Sequence, residues 1–189
     1  QAIAVVGDVN VDDVELKIKA LFSKIPAVEN PLARYFPEVP YHKETYYVLA
    51  TDKEAPQTTI SVIALHKGVP PENRNLKYLR DNYKISLMNS MINTRISELL
   101  QKENPPFTIG SIDYGSYFPR KYDAFSISAT VSQNDEAVAL DAIYTEAEKA
   151  KRFGFGKGEL DRAKARNLSN LENTYKQRDK ITNDTYVQW

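Results

Sequence analysis

Cysteine is absent from this chain. Its absence excludes disulfides and thiolate metal sites and leaves the redox compartment unmarked. Histidine is almost absent too. His42 lies in a proline-rich stretch and His66 at the end of a strand candidate, and neither has a Glu or His at metal-ligand spacing. No charge of either sign is in excess, because 25 Lys+Arg balance 25 Asp+Glu. A bulk electrostatic grip on nucleic acid or on an anionic membrane is therefore not expected. No apolar run approaches the roughly 18–20 residues needed to span a bilayer. Glycine is sparse, with seven in 189 residues, and no Walker or dinucleotide-type glycine pattern occurs. Gly-x-Ser-x-Gly is missing as well, and Ser111 sits in a plain strand context, Gly110-Ser111-Ile112.

What is present is ordinary for a globular domain: 42% hydrophobic and 26% charged residues. Residues 2–6 form a short continuous apolar run of the kind found in a covered strand. Gly7-Asp8 supplies a turn, and Asn10 is placed to cap a helix whose first turn carries Asp12 and Asp13. Val14, Ile18, Leu21, Phe22 and Ile25 follow at helical spacing, and Pro26 closes the element. A proline-rich loop covers 26–40. Strand candidates follow at 45–50 and 58–65, joined by Asp52-Lys53-Glu54-Ala55-Pro56 as a hairpin.

A long helix is expected over 73–102, with Leu76, Leu79, Tyr83, Leu87, Met91, Ile92, Ile96, Leu99 and Leu100 as its apolar stripe. A second hairpin, 107–114 with 123–131, contains the cleanest alternation in the chain. Phe125, Ile127, Ala129 and Val131 point one way, and Ser126, Ser128 and Thr130 the other. Two helices finish the chain. One covers 135–153 and buries Leu140, Ile143, Tyr144 and Ala147. The other starts near Gly158 and carries Leu160, Ala163, Leu168, Leu171 and Tyr175. The predicted class is α+β, a mainly antiparallel sheet of about five strands with helices packed on one face, in the order β-α-β-β-α-β-β-α-α.

Three other features have plain structural readings. Gly154-Phe155-Gly156-Lys157-Gly158 follows a helix rather than a strand, so it reads as a C-cap and loop. Arg162, Lys164 and Arg166, interleaved with Asp161, Ala163 and Ala165, read as a solvated helix face. Tyr46, Tyr47, Tyr114, Tyr117 and Tyr122 gather around the two hairpins, where tyrosine suits a half-buried sheet or a binding surface.

The run Ala4-Val5-Val6-Gly7-Asp8-Val9-Asn10-Val11-Asp12-Asp13-Val14-Glu15, continuing through Leu21-Phe22-Ser23-Lys24-Ile25-Pro26, resembles the start of the second domain of insulinase/pitrilysin-family zinc metallopeptidases, a group that includes mitochondrial processing peptidase. Ala55-Pro56-Gln57-Thr58-Thr59-Ile60-Ser61-Val62, Met91-Ile92-Asn93-Thr94-Arg95-Ile96-Ser97-Glu98-Leu99-Leu100 and Gly156-Lys157-Gly158-Glu159-Leu160-Asp161-Arg162-Ala163-Lys164 are similar to later family segments in the family's order. One stretch departs from the pattern. Gln101-Lys102-Glu103-Asn104-Pro105-Pro106-Phe107-Thr108 stands where many members read Arg-Glu-x-x-Gly-Leu-Ala-Tyr.

By this resemblance the chain is expected to be the non-catalytic second domain of a peptide-hydrolysing enzyme. The family's inverted H-x-x-E-H zinc helix matches no position here, so catalytic and metal residues are none and zinc is expected in a preceding domain. The expected partners are other domains of the same parent chain and a peptide substrate, with no nucleic acid and no membrane. A periplasmic or cell-envelope location follows by the same resemblance. Residues 1–157 are expected as the companion domain and 158–189 as a helical extension toward a linker, the whole being a fragment of a longer protein. The resemblance also implies an edge strand that accepts a peptide as an added strand, at Phe107, Thr108, Ile109, Gly110 and Ser111, within 107–116. A catalytically dead scaffold paralogue and a free-standing ferredoxin-like binding module are the alternatives.

Overall fold

A computed structural model describes residues 3–33, 35–118, 121–131 and 135–187, the side chain of Tyr186 excepted. Two compact units are formed, residues 37–167 and residues 1–36 with 168–189. Residues 157 and 158, where a helical extension was expected to begin, lie in the first turn of a helix over Lys157–Lys176.

The larger unit is built on three antiparallel strands, β1 (Thr58–Lys67), β2 (Ile109–Ser116) and β3 (Tyr122–Val131), in the spatial order β1-β3-β2. β3 is central because its alternation serves both neighbours. Ile127 lies opposite Val62 on one side and Ile112 on the other, and Ala129 lies opposite Ile60 and Gly110. This row faces the helices. The other face carries short hydroxyls: Thr59 meets Thr130 at 3.1 Å, and Ser61 meets Ser128 at 3.3 Å.

Two helices cover the apolar face. α2 (Leu76–Leu100) starts where the Asn75 side chain accepts from the amides of Lys77 and Tyr78, at 2.9 and 3.3 Å. α3 (Glu136–Phe153) ends at Gly154, whose φ of +67° suits a residue without Cβ and whose N–H reaches the Ala150 carbonyl. Ile92 and Ile96 of α2 interlock with Phe107, Ile112, Ile127, Ala129 and Val131, and with Ala139 and Ile143 of α3. Each fully buried large side chain there is worth about 1.5–3 kcal/mol of transfer free energy. α4 (Lys157–Lys176) begins in this unit and buries Ala163 against Leu87 and Met91.

The smaller unit holds α1 (Val11–Phe22), the last turns of α4 and a short α5 (Asn183–Val187). Asn10 caps α1 by accepting from the Asp13 amide at 3.1 Å. α1 has no fully buried residue.

Several expectations need correction. Among the described residues the sheet has three strands, not about five, so the predicted element order does not hold. Residues 3–6 and 45–50 form no strand, and Ala2 lies outside the described residues. Strand-prone composition is insufficient without a neighbour to take the main-chain N–H and C=O groups. The Asp52 turn does form, with the Ala55 amide on the Asp52 carbonyl, but the segment before it stays unpaired and Tyr47 and Val48 are each 91% exposed. The stripes are also only partly used: Leu76, Leu79, Tyr83 and Tyr144 are exposed. Of the chain end, Val187 is half exposed, whereas Trp189 and the Tyr186 side chain lie outside the described residues.

Candidate functional site

The two histidines each have a local partner. His42 is exposed, stacks on Tyr46 and contacts the Glu44 carbonyl. His66 pairs with the Tyr114 hydroxyl at 2.7 Å. Burial, and then the nearby Asp123 charge, push the Tyr114 phenol up. Among the described residues no three His, Cys, Asp or Glu side chains converge as a metal site would require.

The edge strand has a more informative geometry. β2 pairs with β3 on one side only. Of the five residues expected to present the edge, Phe107 is 2% exposed and belongs to the core. Thr108 bonds toward β3, its amide and hydroxyl both donating to the Thr130 carbonyl. Ile109, Gly110 and Ser111 open β2 itself. Gly110 has a definite packing role: a Cβ there would lie 2.5 Å from the Phe107 ring and 3.1 Å from Ile96. Gly115, by contrast, faces open space.

The side of β2 away from β3 is partly occupied by α2. Asn93 donates to the Ile112 carbonyl at 2.8 Å and accepts from the Ile112 amide at 3.1 Å. One helical turn earlier, Asn89 does the same at Tyr114, at 2.9 and 3.1 Å. Each carboxamide thus stands in for one residue of a neighbouring strand, since it offers one donor and one acceptor at the spacing a ladder needs. The sequence reading missed this pair. The signal was present as two asparagines at i and i+4 beside the apolar stripe, on the row that faces β2.

A second constellation fixes the junction between α3 and α4. Arg95 donates from Nε and Nη2 to the two oxygens of Glu159, at 2.6 and 2.9 Å, and from Nη2 to the Gly154 carbonyl. Glu159 also accepts from the Gly156 amide at 2.6 Å. The Arg95 guanidinium, followed by the Gly156 N–H, holds the Glu159 carboxyl down at about 2. The guanidinium also lies over the Phe155 ring. Arg162, Lys164 and Arg166 behind it are exposed, as a solvated helix face would be, with the interleaved Ala163 buried and Arg166 also reaching the Thr94 hydroxyl.

The described residues form an α+β sheet-and-helix scaffold in which one edge strand is bordered by a helix. The chain belongs to the peptidase M16 inactive-domain family, which it matches over residues 2–167. No curated protein sequence matches it. Its fold is similar to that of the periplasmic protease PqqL from Escherichia coli, at 20% identity and TM-score 0.73, over 95% of this chain and 20% of that one. The first half of PqqL gives 21% identity and TM-score 0.72, over 95% of this chain and 38% of that one. A predicted insulinase family protease from Yersinia pestis gives 14% identity and TM-score 0.74, over 96% and 38%. The chain therefore spans a fifth to two-fifths of the length of these neighbours.

Proposed function

We propose that this chain is the companion domain of a zinc-dependent peptidase, serving as a wall of the chamber in which peptides are held and cut. Zinc and the general base would come from another domain of the same protein. By analogy with periplasmic PqqL, the parent would work in a bacterial cell envelope. No helix among the described residues is long and apolar enough to cross a membrane. The observation that carries this reading is the one-sided pairing of β2, in a domain whose family is by description inactive. Within 107–111 the peptide would pair as an added strand at Gly110, since Phe107 is buried in the core and Thr108 bonds toward β3. Main-chain pairing holds many sequences with little preference.

The test uses the longer parent protein. It should contain stoichiometric zinc and cleave peptides, while the chain alone should hold no tight zinc and cleave none. In zinc-stripped parent, an added peptide substrate should slow hydrogen exchange at the Gly110 amide. A parent without zinc or peptidase activity would overturn the enzymatic reading. An unchanged Gly110 amide under saturating peptide would remove the strand-addition role.

A further inference from the structure

We propose that Asn89 and Asn93 act as a side-chain strand that gates the outer edge of β2, limiting peptide pairing to its Gly110 end. This rests on the strand-addition reading and specifies how that site is regulated. In an antiparallel strand, alternate residues turn both main-chain groups to the same side. Ile112 and Tyr114 turn theirs toward α2, as the four asparagine bonds show. By the same alternation Gly110 turns its N–H and C=O to that side.

α2 supplies its next row at Ser97, one turn beyond Asn93. Serine is too short to repeat the bracket, and its hydroxyl is already committed to the Asn93 carbonyl at 2.8 Å. The edge is thus closed at two successive outward positions and left to a peptide at the third. Asn93 is itself held in place, because its Nδ2 also reaches the Asn89 carbonyl at 2.9 Å and Asp113 Oδ1 at 3.3 Å. A peptide strand growing from Gly110 toward Tyr114 must displace first Asn93 and then Asn89, exchanging two hydrogen bonds for two at each step. Strand addition there regains the two bonds to each β2 residue but forfeits the ties of Asn93 to the Asn89 carbonyl and Asp113, so it is disfavoured relative to pairing at Gly110.

The intact protein is tested in two ways. Without ligand, Asn93→Ala should speed hydrogen exchange of the Ile112 amide about tenfold, and Asn89→Ala that of Tyr114, the loss expected for one removed hydrogen bond. Equal exchange would overturn the gate. If Asn93→Ala fails to fold, Asn93→Asp keeps an acceptor for the Ile112 amide while losing the donor to its carbonyl, and serves in the binding measurement. That measurement uses a labelled peptide of alternating Thr and Val, followed by fluorescence anisotropy. The wild type should bind it weakly with protection at Gly110 alone. The variants should bind it about tenfold more tightly, with protection spreading to Ile112 and Tyr114. Equal affinity with equal protection at all three amides would sink the gate and leave the edge reading standing. No binding to either form would overturn both.

Discussion

Glu159 and Gly110 show how much a single side chain, or its absence, decides here. Glu159 carries a carboxyl held at about 2 by Arg95. Its folded value is depressed, so its contribution to stability is fully present above the ordinary glutamate range near 4.3 and is lost as pH falls from there toward about 2. Glu159→Gln should lower stability near pH 7 and remove that slope, as read by urea unfolding at a series of pH values. Arg95→Lys should weaken the same junction, because an ammonium cannot reproduce the forked contact. At Gly110 the Phe107 ring occupies the space a Cβ would need. Gly110→Ala should therefore cost about 1–3 kcal/mol by overpacking a filled core. A smaller partner, Phe107→Leu, should recover part of the loss in a double-mutant cycle. Full additivity would show that the two residues do not share that space.

Among the elements, α2 has the most varied duties. Its N-terminus depends on Asn75, which satisfies two otherwise orphaned amides. Asn75→Ala should cost about 1 kcal/mol in denaturant unfolding, and an unchanged midpoint would show that water replaces the cap at no cost. Its middle presents Ile92 and Ile96 to the sheet, Met91 and Leu87 to α4, and Asn89 and Asn93 to β2. Three faces of one helix are thus used at once. The periodicity of Leu87, Met91, Ile92 and Ile96 was legible in the sequence, since burial selects for it directly. The asparagine row was not, because polar residues beside a stripe ordinarily face water, and only the position of β2 makes them structural. β1 shows the opposite case: its ten residues pair with β3 throughout, and the hairpin partner expected at 45–50 is not there.

At the scale of the whole molecule, exposed apolar residues are numerous: Leu79 is 62% exposed and lies on one face of α2 with Leu76 and Tyr83. Exposed apolar residues grouped on one helix face mark an interaction surface. The chain alone should bind an apolar fluorescent dye in its native state, and Leu79→Lys with Tyr83→Lys should reduce that signal without lowering stability. A dye signal unaffected by the pair would place the accessible apolar surface elsewhere.

The sequence by itself determined the helices, the central hairpin and the family. Those depend on local periodicity, capping residues such as Asn10 and Asn75, and ordered segments that survive without knowledge of neighbours. It also placed neither His42 nor His66 at metal-ligand spacing from another His or a Glu. Strand number and edge chemistry were decided only by tertiary structure. A strand exists through its partner's hydrogen bonds, so Tyr46-Tyr47-Val48-Leu49 can have strand composition and still pair with nothing. Whether an edge is open depends equally on what lies beside it. Nothing along the chain marks Ile112 as bonded to Asn93 on its outer side, and only the fold brings the two together.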